Sequence, residues 1–248
     1  MYAEPSTGKP KLIIFASGAK ESGSSHATPL GFSKTGYRQE NLGGGSGFEN
    51  LVRASREGIL DADIVAVASN HEHGSVRNRA DRLGIKFIYF PGPYESENYT
   101  KIITDTGADW IALSGWFQMV KGLDPAKTFN IHPALLSCLG GRFGGKGMYG
   151  DELYQSIRNA LEKGEIAESG CSMHFVTEDY DVGPVFFEYP IPLDKGLTAK
   201  EIEKAIREVE HDWQPKITNM VVHGEIAWDG KNPESLVVPG GYQYLPRR

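Results

Sequence analysis

The hydrophobic pattern opens at residues 11–16 with KLIIFA, a short β-branched run of the kind that fills a strand buried on both faces, and Ser17-Gly18 ends it in a turn. Residues 19–42 carry Gly, Ser, Lys and Glu with neither a two-residue nor a 3.6-residue period, and read as a long loop or insertion. The glycine-rich GGGSG at 43–47 then leads into FENLVRASREGIL, where Phe48, Leu51, Val52, Ile59 and Leu60 suit one helical face. From there strand and helix alternate. Strands are predicted at 63–69, 86–89, 110–113 and 129–131, and helices at 74–83, 98–106 and 151–163, the last capped by Asp151 and stopped by Gly164. Residues 171–177 and 184–191 read as neighbouring strands joined by the acidic turn EDYDVG, and 199–222 as a long helical region interrupted near Pro215.

Strands separated by helices predict parallel βαβ units, hence an α/β protein: an open, mostly parallel sheet with helices on both faces. No linker or repeat divides residues 1–248, so one domain is expected, with the extended loop at about 19–42 and an irregular tail or short hairpin from about 230.

Composition narrows the partners. Apolar residues make up 40% and charged residues 23% of the 248, enough for a real core. The formal charge is −6 and no long Lys/Arg cluster occurs, so the basic footprint that phosphate backbones require is missing and nucleic acid is not an expected partner. No apolar run approaches the ~20 residues that span a bilayer, and the N-terminus lacks a signal-type apolar core; no membrane and a cytoplasmic location are expected. Cys138 and Cys171 have no CxxC spacing and read as free thiols.

In an open parallel sheet ligands sit beyond the carboxyl ends of the strands, so the residues just after each strand carry the candidate chemistry. Gly43–Gly47 open a helix, where unpaired N–H groups make an anion site; the spacing fits neither a P-loop nor GxGxxG, and a plain flexible loop is the competing reading. Asn130 and His132, two apart on a strand, project to the same side and offer one neutral and one titratable donor for an oxyanion. A histidine satisfied in the core is the alternative there. A carboxylate of the turn 178–183 brought near His132 would favour the imidazolium, although such turns are often only solvated. His71 and His73 lack a third ligand at metal spacing, so no metal is expected.

Taken jointly, FNIHPALL and MHFVTEDYDVGPV resemble the phosphoribosylglycinamide formyltransferase family over residues 11–226, because NIHPxLL followed by HFVTxxxDxGP is specific to the formyltransferase-type, Rossmann-like fold. The resemblance implies formyl transfer from 10-formyltetrahydrofolate, with no metal, to the amine of glycinamide ribonucleotide in de novo purine biosynthesis, by a monomer or homodimer. It implies catalytic roles for Asn130, His132 and Asp181, with the imidazole held charged by Asp181. Gly45, Ser46 and Gly47 match the GSN loop that cradles the substrate phosphate, with Gly47 in place of Asn. Arg207 and Glu210 match the helix segment that contacts the ribonucleotide, Glu210 facing its amine. Phe117, Gln118, Met119 and Val120 match one wall of the folate pocket, with Gln118 where Arg is frequent, and Thr177, Glu178, Asp179, Tyr180 and Asp181 match the other. RFGGKGMYG at 142–150 replaces a loop that normally carries a His, and the segment between Gly18 and Gly43 is longer than the usual connection.

Formyl transfer to another amine, such as a nucleotide-linked amino sugar, is the leading alternative. An aminoacyl-tRNA acceptor would call for a further barrel domain and basic charge. A formyl-folate hydrolase and a noncatalytic folate- or nucleotide-binding module remain open, and the trio argues against the module, which needs no such set.

Overall fold

A computed structural model describes residues 8–19 and 44–247, so nearly all of the loop expected at 19–42 lies outside the described residues. The strands are β1 (Lys11–Phe15), β2 (Asp63–Ser69), β3 (Phe87–Tyr89), β4 (Trp110–Ser114), β5 (Thr128–His132), β6 (Glu168–Phe175) and β7 (Val185–Pro192). The helices are α1 (Ser46–Arg56), α2 (Ser75–Leu83), α3 (Ser96–Thr106), α4 (Gly150–Lys163) and α5 (Ala199–Val222). The sheet runs β3-β2-β1-β4-β5-β6-β7, parallel from β3 to β5 and antiparallel across β5–β6 and β6–β7. The expected architecture is present, and the short link from 171–177 to 184–191 is an antiparallel pair because a few residues cannot make a parallel crossover.

Period-two alternation along β1 shows why the run at its start is apolar throughout. Leu12 and Ile14 enter a core with Phe48 and Leu51 of α1, Val76 of α2, Ile157 of α4 and Ile206 of α5. Ile13 and Phe15 enter a second core on the opposite face, with Tyr99 of α3 and Trp116. Both faces are covered, so each aliphatic side chain contributes about 1.5–3 kcal/mol by leaving water. In the second core Trp116 Nε1 donates to Tyr99 Oη at 3.0 Å, and Tyr99 Oη donates to the Met119 carbonyl at 2.9 Å, which pins the segment after β4.

Three local expectations are corrected. Ile59 lies beyond the end of α1 and is exposed, since Leu60 completes the apolar face from a turn. Asp151 does not cap α4: the N-cap is Tyr149 without a side-chain cap, and Asp151 and Glu152 stand in the first turn, where negative charge favours the unpaired N–H groups. Nor does Pro215 interrupt α5, which is continuous over 24 residues from a capping box of Thr198 and Glu201. Proline removes the N–H that would have bonded the His211 carbonyl one turn back, and the Asn50 carboxamide donates to that carbonyl instead at 2.7 Å. The compensation comes from α1, a partner the local sequence of α5 does not reveal.

The tail from 230 is ordered by two contacts: Ala227 bridges Val237, and the Glu188 N–H of β7 donates to the Tyr244 carbonyl at 2.7 Å. Tyr244 also packs against Phe187 and Trp213, with ring centroids 5.6 and 4.8 Å away.

Candidate active site

The chain leaves β1 toward β2 and β3 on one side, then returns to place β4 on β1's other side, so the carboxyl ends of β1 and β4 diverge at a topological switch point. There the Ser17 N–H donates to the Gly115 carbonyl at 2.8 Å. A cavity of about 230 Å³ opens above this point, lined by Gly44–Gly47, the end of β4, Asn130–Pro133 after β5, and residues of α5. A narrower slot beside it is lined by Leu113, Gln118, Met119, Val120, Thr177 and Asp179 among others. Trp116, Asn130, Tyr180 and Asp181 border both, so the two spaces meet at Asn130 and Asp181.

At that junction the sheet's antiparallel half matters. Register pairs Asn130 with His174 and His132 with Ser172 across β5–β6. His174 Nδ1 donates to the Phe175 carbonyl at 2.9 Å, while its Nε2 stands 3.1 Å from Asn130 Nδ2 and 3.3 Å from Asp181 Oδ1. Asp181 holds φ at +55°, a left-handed conformation that Asp tolerates better than most residues, at the β6–β7 turn. Its Oδ2 accepts the Gly145 N–H at 2.9 Å and lies 3.9 Å from His132 Nδ1. The other His132 nitrogen, Nε2, donates to the Phe143 carbonyl at 2.6 Å. The loop 137–150 thus holds the imidazole through one carbonyl and the carboxylate through one amide. Gly144 sits between them; a Cβ there would lie 2.6 Å from Leu136 Cδ2 and 3.4 Å from Asp181 Cβ, so a larger residue must push the Leu136 side chain aside.

Burial works against the charge expected on His132. The ring is 5% exposed, and burial pushes its pKa below the usual histidine value; Asp181 and the Phe143 carbonyl pull upward without overcoming it. That shift works against the charged form, Nε2–H is committed to the loop, and the 3.9 Å gap to Asp181 exceeds a hydrogen bond. For Asp181, burial pushes the carboxyl up, but the His174 hydrogen bond, the two imidazoles and the Gly145 N–H outweigh it and hold it at about 2. His174 is the residue that sequence reading missed, although it stands within the HFVT motif. Strand alternation places His174 on the same face as Ser172, but only the β5–β6 register sets it opposite Asn130.

At the other end of the cavity, Gly45 caps α1 in a left-handed conformation and Ser46 and Gly47 begin the helix, leaving their N–H groups at its positive end. Arg207, paired with Glu203, and Glu210 face this space from α5. Burial raises the half-buried Glu210 carboxyl to about 7; Arg207 opposes the shift and Glu203 adds to it. His211 Nε2 lies 3.2 Å from Ser46 Oγ. Of the expected folate wall, Gln118, Met119, Val120, Thr177 and Asp179 line the slot, Tyr180 and Asp181 border both spaces, and Phe117 lines the larger cavity, stacked on Tyr149 at 5.0 Å. Glu178 lines neither space.

Known proteins resemble this chain in sequence and fold. The chain is 28% identical over 198 residues to the chloroplastic phosphoribosylglycinamide formyltransferase of Arabidopsis thaliana, covering 75% of the chain and 65% of that protein's length. To the phosphoribosylglycinamide formyltransferase of Bacillus subtilis it is 26% identical over 190 residues, covering 73% and 91%. The crystal structure of glycinamide ribonucleotide transformylase 1 from Symbiobacterium toebii has the same fold, with a TM-score of 0.70 at 22% identity over 94% of this chain and 96% of that one. The formyl transferase family model matches residues 41–218, which takes in α1 with its glycine start, β5, β6 and Asp181. That match extends over well more than half of the sequence and contains the junction of the two spaces, and the chain belongs to the formyl transferase family.

Proposed function

We propose that this protein transfers the formyl group of 10-formyltetrahydrofolate to the amine of glycinamide ribonucleotide, a step of purine biosynthesis. The observation that carries the reading is the meeting of two spaces at Asn130 and Asp181, one with a helix N-terminus suited to a phosphate and the other a slot walled by Leu113, Val120 and Val176 that suits a flat heterocycle. Transfer between two bound substrates needs such a junction, because holding the nucleophile against the electrophile removes the entropic cost of their encounter.

In this reading the amine nitrogen attacks the formyl carbon, a C–N bond forms and the carbonyl electrons move onto oxygen. Asn130 Nδ2–H stabilises that oxyanion. The tetrahedral intermediate collapses by breaking the bond to the folate N10, and the proton lost by the attacking nitrogen ends on that leaving nitrogen. Asp181, with His132 and His174, holds the charge of this transfer in place; Glu210 binds the amine and Arg207 the ribonucleotide. Gly45, Ser46 and Gly47 hold the phosphate through backbone N–H groups, and the stretch 117–120 with 177–181 holds the folate.

The test is direct: purified protein, 10-formyl folate and glycinamide ribonucleotide are combined and the deformylated folate is followed by absorbance. Turnover that requires the ribonucleotide and is lost in Asn130→Ala and His132→Ala is expected. Turnover only with a nucleotide-linked amino sugar, or deformylation without any acceptor, overturns the assignment.

A further inference from the structure

Gly47 is the position where the family's phosphate loop carries Asn, and the structure shows what fills the space instead. A Cβ built on Gly47 would lie 2.2 Å from Ser114 Oγ and 3.1 Å from Gln214 Oε1. Ser114 closes β4 and Gln214 projects from α5, and both line the larger cavity with Gly47. Gln214 is 1% exposed, and its Nε2 donates to Ser114 Oγ at 3.2 Å. Its Oε1 accepts no hydrogen bond among the described residues and is not enclosed as a buried unsatisfied atom. Oε1 is open to the cavity, where a bound molecule can supply its donor in place of water.

We propose that Gln214 is a specificity-determining residue whose Oε1 accepts a hydrogen bond from the amine-bearing substrate. The inference rests on the proposed function and deepens it by naming the group that is read. Gln214 sits beside Gly47 at the anion end, and Ser114 pairs with Ile131, between Asn130 and His132. The donor that reaches Oε1 is therefore a hydroxyl or amide N–H on the segment joining the phosphate to the reacting amine. Ser114 fixes the carboxamide by taking its N–H, which leaves the carbonyl toward the cavity, and Gly47 makes room for both. A carboxamide thus reaches the phosphate end of the site from α5 rather than from α1.

The measurement is binding and turnover of glycinamide ribonucleotide by the wild type and by Gln214→Met, which keeps the side-chain length and removes the acceptor. Calorimetric Kd and KM for the ribonucleotide should rise about three- to tenfold, the worth of one hydrogen bond, with kcat and the folate KM within twofold. Gln214→Asn, which keeps the amide but draws it back by one methylene, should show the same rise and serves if the Met variant does not fold. Unchanged ribonucleotide affinity in a folded variant overturns the role of Gln214, and so does a fall in kcat or in folate affinity of equal size, which marks a general disturbance. Failure of the wild type to bind the ribonucleotide overturns the proposed function itself, and the two failures are distinct.

Discussion

Replacing Glu210 by Gln should stabilise the protein in alkaline solution while weakening its acceptor site. Glu210 lines the cavity from α5 with its carboxyl raised to about 7 from an ordinary 4.5, burial being the main cause. A pKa raised in the folded state means that the protonated form is the one folding favours. The contribution is complete below pH 4.5 and is lost as pH rises through 7. At 1.36 kcal/mol per unit the full difference corresponds to about 3 kcal/mol, an upper figure; water in the open cavity screens the charge and reduces it to roughly 1–2 kcal/mol. Gln cannot ionise, so Glu210→Gln and the wild type should unfold alike at pH 5, while at pH 8 the variant should melt roughly 2–6 °C higher. Calorimetric or urea unfolding at the two pH values reads this directly. The same variant should raise KM for the ribonucleotide, because a carboxylate that costs folding energy at neutral pH is retained for what it binds. A stability difference independent of pH would refute the electrostatic account, and unchanged acceptor KM would refute the assignment of Glu210 to the amine.

Other expectations follow from the same geometry. Asp181→Asn should lower kcat by about 10²–10⁴ with native circular dichroism and alter the pH–rate profile, and an unchanged profile would remove Asp181 from the proton transfer. Since the Asp181 pKa is depressed to about 2, its stabilising contribution is present above 3.8 and lost as pH falls through 2, so the wild type's advantage over this variant should shrink in acid unfolding experiments. Asn50→Leu should cost about 1–3 kcal/mol by stranding the His211 carbonyl, and Pro215→Ala should recover part of that loss by restoring an N–H one turn along; additive effects in urea unfolding would disprove the compensation. Gly144→Ala should displace the loop that holds His132 and Asp181, reducing kcat more than stability, and wild-type turnover would show that the loop can retreat.

The sequence made the sheet legible because its central strands are buried on both faces: KLIIFA and WIALS admit few other readings, and glycines after α2, α3 and α4 end those helices in left-handed turns. That Asn130, His132 and Asp181 lie around one cavity was legible through motifs. Harder to read were effects that depend on a neighbour distant along the chain. The Pro215 break was expected because its local rule is strong, and only α1, through Asn50, overrides it. His174 stayed hidden because its role arises from the β5–β6 register, and the opposition of burial to a charge on His132 was not legible because a motif names the nearby carboxylate but says nothing of desolvation. Gly47 looked like a lost side chain, whereas Ser114 and Gln214 occupy its place.

β7 forms one rim of the sheet, where a strand's outward main chain is open to pairing with other molecules. The bond from Glu188 to Tyr244, with the Trp213 and Phe187 rings packed against Tyr244, lays that residue across the rim. Tyr244 thereby occupies a main-chain N–H that the rim would otherwise present to a neighbour: a protein shortened before Tyr242 should keep its ligand cavity and expose that border, so the loss should show first as turbidity on concentration rather than as missing activity.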